Sequence, residues 1–128
     1  MSVESIVFAA LTASGAGALV ANPDSPTTYR IYADAAPQTT QFPVIVYNVI
    51  GQEQARSLGG GPASIARTLV QVDCYAKTQA AALALADAVT LALYGNFASF
   101  SGVHQNRQNL YDEQQRLFRV SQDFAIWA

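Results

Sequence analysis

The stretch TLVQVDCYAKTQAAALALADAVTLALYG, Thr68 to Gly95, carries the two strongest structural signals in the chain side by side. Val70, Val72 and Cys74 alternate with Gln71, Asp73 and Tyr75, the period of two of a strand with one buried face. That strand is expected over Ala66–Tyr75. Immediately after it, Thr78 offers a hydroxyl to cap a helix, Gln79–Leu93 is dense in alanine, and Gly95 stops it. At 100° per residue, Leu85, Val89, Ala92 and Leu93 gather on one side of this helix, which is the expected core side. Leu83 and Leu91 fall well round from that stripe, near Asp87 and Thr90, and are expected to form a subunit–subunit contact.

Working outward, the N-terminal side opens with a short amphipathic helix. Ser2 is its expected cap, Glu4 suits the first turn, and Val3, Ile6, Val7, Ala10 and Leu11 form the apolar stripe. Ser14-Gly15-Ala16-Gly17 is expected to end the helix, and Asn22-Pro23-Asp24-Ser25-Pro26 to be a loop. Arg30-Ile31-Tyr32 reads as an edge strand. Phe42-Pro43 opens a stronger, β-branched strand, Val44–Ile50, closed by Gly51. Gln52–Ser64 is polar and glycine-rich and is expected to be a partner-facing loop, with Arg56 and Leu58 as a charge and an apolar anchor and Gly59-Gly60-Gly61 at its bending tip.

On the C-terminal side two strands follow the long helix, Val103–Leu110 and Leu117–Trp127, joined by a hairpin turn over Tyr111–Arg116. In the last strand Phe118, Val120, Phe124 and Ile126 share one face, with Arg119, Ser121 and Asp123 on the other. The order is α-β-β-β-α-β-β. Strands joined by hairpins, with helices collected on one side, give an α+β fold with an antiparallel sheet and two helices on one face. At 128 residues the chain is expected to be a single domain, 1–128.

Composition narrows the function. Nine acidic and seven basic residues make only 12% charged, about half the usual quarter, while 51% are hydrophobic. A disordered chain is excluded by that balance. A folded monomer of 13.6 kDa exposes roughly 6,600 Å². Sixteen charges leave much of such a surface uncharged, which favours an assembly component. Net charge −2 and scattered arginines argue against a module that binds DNA or RNA by neutralising phosphates. Ser5–Pro23 is uncharged, but its apolar run is only Ile6–Leu11, too short for a membrane span. The N-terminus also lacks the basic start of a signal peptide, so secretion is not expected.

Chemistry is thinly represented. His104 is the sole histidine, and with Ser101 it could be half of a nucleophile–base pair, without any surrounding signature. Cys74 and His104 fall short of the four ligands of a structural zinc site, and Cys74 on the expected core face reads as an inert thiol. Asp112-Glu113 reads as solvent-facing turn residues. Gly59-Gly60-Gly61 lacks the lysine and spacing of a phosphate loop and is followed by Pro62. No enzyme, cofactor or metal site is expected.

Taken together, several pieces carry a resemblance: the opening Ser2-Val3-Glu4-Ser5, Arg30-Ile31-Tyr32 ahead of Ala36-Pro37, Phe42-Pro43-Val44-Ile45-Val46-Tyr47, Val70–Ala76, Ala86-Asp87-Ala88-Val89 and Phe118–Phe124. In this order and spacing the chain resembles the bacteriophage tail-completion or tail-terminator proteins, the head-to-tail joining proteins of long non-contractile tails, which have relatives in gene transfer agents. The resemblance implies a virion protein without catalytic residues, assembled in the host cytoplasm and placed at the head-proximal end of the tail. It implies a homo-oligomer, a hexameric ring that ends tail-tube assembly, meets the tail-tube protein and a head connector or stopper protein, and lets genomic DNA pass without sequence-specific binding. Competing readings are a connector stopper, a minor tail protein, and a small-ligand-binding or enzymatic α+β domain with a pocket around His104.

Overall fold

A computed structural model describes residues 3–22, 25–35, 42–56, 62–97 and 100–128. Its elements in chain order are α1 (Val3–Thr12), α2 (Gly15–Leu19), β1 (Ala21–Asn22), β2 (Ser25–Tyr29), β3 (Ile31–Ala33), β4 (Val44–Arg56), β5 (Pro62–Ala76), α3 (Gln79–Leu93), β6 (Gly95–Asn96), β7 (Ser101–Asp112) and β8 (Leu117–Trp127). β1 and β2 form a small sheet of their own, and the main sheet has the order β3-β4-β5-β8-β7-β6. The α+β class therefore holds, with three helices among the described residues in place of the expected two.

The cause of the extra helix is local. Ser14, read as a breaker, instead caps α2: its Oγ accepts from the Ala16 amide at 3.2 Å and donates to the Leu11 carbonyl at 2.8 Å. Gly17 is what lets the two helices meet, since a Cβ there would sit 2.5 Å from the Thr12 carbonyl oxygen. Thr78 caps α3 as expected, its Oγ1 accepting from the Ala81 amide at 3.2 Å. The Ser2 cap lies outside the described residues.

Three further expectations need correction. The Asn22–Pro26 loop contributes to β1 and β2, which pair despite Pro26 because a two-stranded ladder leaves many amides unused. The sheet is antiparallel except where β3 runs parallel to β4, Ile31 opposite Ile45 and Ala33 opposite Tyr47. The Gln52–Ser64 loop is largely strand. β4 continues to Arg56 and β5 begins at Pro62, with Arg56 opposite Pro62. Backbone pairing carries the hairpin through this polar sequence, past irregularities at Val49/Gly51 and Gln54/Arg56, where side-chain pattern gives no strand signal. Leu58, Gly59, Gly60 and Gly61 lie outside the described residues. β8 matches its expected limits, whereas β7 is longer at both ends and the turn is shortened to Glu113–Arg116.

α1 and α3 lie on one face of the main sheet, and α2 packs against both helices. Ile6, Val7 and Leu11 of α1 and Ala82, Leu85, Ala86, Val89 and Leu93 of α3 join Ile45, Val70, Val72, Cys74, Val120, Phe124 and Ile126 in one apolar cluster. The register shows why: Val70 faces Phe124, Val72 faces Gln122 and Cys74 faces Val120, so even-numbered residues of β5 and β8 point to the helices. Gly102 in β7 is the point of closest approach. A Cβ there would fall on the Leu93 carbonyl, so only glycine lets the end of α3 lie against that strand.

Two borders of the sheet are left open among the described residues. β3 covers the outer edge of β4 only from Ile45 to Tyr47, leaving Asn48–Arg56. β6 covers the outer edge of β7 only at Ser101 and Gly102, leaving Val103–Asp112.

Candidate functional site

The residues able to do chemistry are dispersed. Ser101 pairs with Trp127 and His104 with Phe124 in the β7–β8 register, which places their side chains on opposite faces of the sheet. Ser101 Oγ is hydrogen-bonded to Asn96 Oδ1 at 2.9 Å. The His104 ring stands edge-on to Phe124, centroids 5.2 Å apart, with its buried Nε2 lacking a hydrogen-bond partner among the described residues. A nucleophile–base pair is not assembled. Cys74 is fully buried, and burial pushes its thiol pKa up, with the Asp73 carboxylate adding to the shift. The sulfur stays a protonated, weakly reactive core atom. Burial likewise raises the Tyr47 and Tyr75 phenols, with Arg119 pulling Tyr75 back. Asp112 is a turn residue, its Oδ1 accepting from the Gln114 and Gln115 amides at 3.0 and 3.2 Å. Among the described residues no cluster of His, Cys, Asp and Glu could hold a metal ion, and no helix is long and apolar enough to cross a membrane.

Apolar surface is where the structure concentrates its unexplained features. Leu91 on α3 is 81% exposed, whereas Leu83 is half-covered and packs against the core cluster. The structure thus separates the two leucines that the helical wheel had grouped. Leu91 lines an open groove of about 500 Å³ between α1 and the end of α3, with Ile6, Ala9 and Ala10 on one wall and Phe97 and Phe100 on the other. Those two phenylalanine rings stack with centroids 4.7 Å apart. They flank β6 and β7, so the groove opens on the same border of the molecule as the free edge of β7. His104 is not part of it. Val49 and Ile50 are also exposed, at 36% and 56%, on the opposite free edge in β4. Arg56 ends β4, and its side chain lies outside what is described.

The helix-free face of the sheet is held by a polar ladder. Asp73 is buried and receives Arg119 Nη2 at 3.0 Å, while Gln71 Nε2 donates to Ser121 Oγ at 2.8 Å. Arg119 also lies over the Tyr75 ring, 5.8 Å from its centroid. On the helix side, Gln122 is a fully buried amide: its Nε2 donates to the Ala86 carbonyl at 2.9 Å and its Oε1 accepts from Thr90 Oγ1 at 2.7 Å. Sequence inspection passes over Gln122, although it is the one polar residue in the even-numbered apolar series of β8. Phe97 and Phe100 had no periodic signal to reveal them.

Exposed apolar surface and uncovered strand edges are what the described residues offer, and comparison with known proteins gives the family that carries them. The pattern of one protein family, tail completion protein gp17, matches residues 5–128. The chain belongs to that family. As a tail completion protein it is a structural component of a phage-type virion and not an enzyme. The fold of this tail completion protein is also similar to a chain from a solved structure described as the virion of a native gene transfer agent particle. That likeness has a TM-score of 0.63 and 21% identity, and covers 98% of this chain and 93% of the other. No curated protein matches the sequence.

Proposed function

We propose that this tail completion protein forms a hexameric ring on the head-proximal end of the tail tube, with residues 1–128 acting as one domain. The ring halts tube polymerisation and offers the surface on which a head connector or stopper protein docks. Genomic DNA passes through its lumen without sequence-specific recognition, and the ring assembles in the host cytoplasm. Leu91, assisted by Leu83, belongs to the contact between subunits in this scheme, and the segment from Arg56 through Leu58 and Gly59-Gly60-Gly61 to the contact with the tube.

The observation that supports this reading is a subunit surface that does not close on itself. Large apolar side chains stand exposed, Leu91 foremost, on a protein with few charges. Similarity in fold to a chain of a virion particle fits the same picture. The apolar groove is open and lacks the convergent polar groups of a small-molecule site, which disfavours a ligand-binding role.

The mass of the purified protein, alone and mixed with tail-tube subunits, tests the proposal. A species of six times the subunit mass that arrests growing tubes is expected. A protein that stays monomeric in the presence of tube subunits, or tubes that elongate past it, would overturn it.

A further inference from the structure

We propose that the free edges of β4 and β7 are the two halves of one intersubunit joint, so that each copy adds its β7 to the β4 of the next and the sheet runs unbroken from subunit to subunit. This rests on the ring reading above and names the surface through which the ring is made.

The free part of β7, Val103–Asp112, is about 33 Å long and that of β4, Asn48–Arg56, about 30 Å, at ~3.3 Å per residue. Among the described residues no strand takes up the outward amides and carbonyls of either, which makes each a template for another strand. Soluble proteins guard such edges with lysine, proline or charge, and β7 has almost none of these. Val103–Asp112 contains no lysine or proline, and its charges are Arg107 and Asp112. Arg107 is tied to Asp87 of α3 at 2.9 Å, and Asp112 is occupied by the turn amides. One bulge between His104 and Asn106 is the remaining device. Every side chain from Val103 to Asp112 is exposed or half-buried, with Leu110 at 43% and Tyr111 at 50%. A strand this long that buries so little within its own subunit is suited to a partner.

The partner is a second copy because the sheet itself supplies the matching edge. β4, β5, β8 and β7 are joined by three successive antiparallel pairings, so β4 and β7 run in opposite directions at opposite borders. Rotation about an axis roughly along the strands preserves both directions. The β7 of one copy therefore meets the β4 of the next antiparallel, the better-bonded arrangement. The two surfaces differ, which makes the contact head-to-tail, and head-to-tail contacts form a ring where the rotation between copies closes and a filament where it does not. Followed across the ladder, His104 lies level with Val49 and Asn106 with Asn48, so at equal height Val103–Asn106 meets Asn48–Gly51, and a longer pairing requires one copy to slide along the strands past the parts that β3 and β6 cover. Val49 and Ile50 of the next copy then come to the height of the Leu91–Phe97–Phe100 groove, which gives the joint an apolar flank. Tilted strands in a closed ring slide one edge along the other, so the test must span several registers.

Pairs of cysteines provide it: Gln105→Cys or Gln108→Cys on β7, each combined with Asn48→Cys or Gln52→Cys on β4. These are exposed or half-buried positions, and the native Cys74 is fully buried. Each variant is treated with a short bifunctional thiol reagent and run on a denaturing gel, with its native mass measured in parallel. Expected is a ladder of covalent multimers up to the ring for at least one pairing, and none for the single-cysteine parents. A ring by native mass with no ladder in any pairing overturns the joint while leaving the ring standing. Dimers from a β7 cysteine alone overturn it too, because they indicate a symmetric β7–β7 contact. A monomeric native mass overturns the ring, and the joint with it.

Discussion

The buried amide of Gln122 ties β8 to α3, and its removal yields a measurable signature. Gln122→Met keeps the length of the side chain and loses two hydrogen bonds, to the Ala86 carbonyl and from Thr90 Oγ1. Neither former partner is orphaned. Thr90 Oγ1 still reaches the Ala86 carbonyl at 3.0 Å, and that carbonyl keeps its helical partner four residues on. At about 1 kcal/mol net per bond, and with an apolar atom now occupying an apolar site, the expected loss is ~1–2 kcal/mol. Thr90→Val acts differently: it leaves Gln122 Oε1 buried without its donor, which costs ~1–3 kcal/mol. In the double variant both polar partners are gone, so its loss falls short of the sum by at least about 1 kcal/mol. Urea unfolding of the four proteins at one fixed concentration measures this, since oligomerisation makes stability depend on concentration. Losses that add within ~0.5 kcal/mol would refute the clamp.

The other predictions concern packing and surface. Phe124→Ala removes a fully buried ring, and stability measured by the same unfolding assay should fall by ~3–5 kcal/mol; an unchanged melting temperature would mean the β8 register is wrong. Gly102→Ala should cost ~1–3 kcal/mol, because its methyl group meets the Leu93 carbonyl and α3 must shift; wild-type stability would show that this approach is not tight. Leu91→Gln should lower oligomer mass with an unaltered circular-dichroism spectrum, and an unchanged oligomer would remove Leu91 from the interface. Replacing residues 57–61 by a short Gly-Ser turn should preserve folding and impair tail completion, and undiminished infectious particles would exclude a docking role for that segment.

Side-chain pattern was informative wherever one face of an element meets the core. The alternation in Val70–Tyr75 and Phe118–Ile126 and the stripe on α3 correspond to the buried faces, because burial acts on every second or every third to fourth residue. Pattern was silent where the backbone alone makes the structure. The distal arms of β4 and β5 are built by ladder bonds between residues such as Gln52 and Thr68 or Gln54 and Ala66, whose side chains announce nothing. α2 escaped for a related reason: Ser14 and Gly17 weaken a helix interior, yet one caps a helix start and the other permits close approach of α1. On the candidate surface, Leu91 could be read from its angle on the wheel. Its neighbours could not, since Phe97 and Phe100 stand outside any helix or strand and carry no periodic signal. The short Arg30-Ile31-Tyr32 piece was legible as an edge strand and lies at the end of the sheet as β3, but the uncovered lengths of β4 and β7 were not, because they are defined by how far the neighbouring strand extends.

The composition of β7 bears on how such an edge stays soluble until it is used. From His104 to Asn109 the strand reads His-Gln-Asn-Arg-Gln-Asn, so its hydrophilicity comes mainly from amides. A lysine at these positions would guard the edge as well, but its charge would have to be desolvated when a neighbour docks, at a cost of several kcal/mol unless paired. Amide side chains hydrate the free strand, and on docking they exchange water for hydrogen bonds with a neighbour without a buried charge. They also lack the long-range repulsion that would oppose bringing identical subunits together. The low charge of the whole chain, net −2 with 12% charged residues, follows the same logic. Under the proposed joint, a closed ring consumes each free edge against a neighbour's, and closure itself stops growth in the plane of the ring. Further addition can then take place only along the axis, the direction in which a tail tube and a head connector would be met.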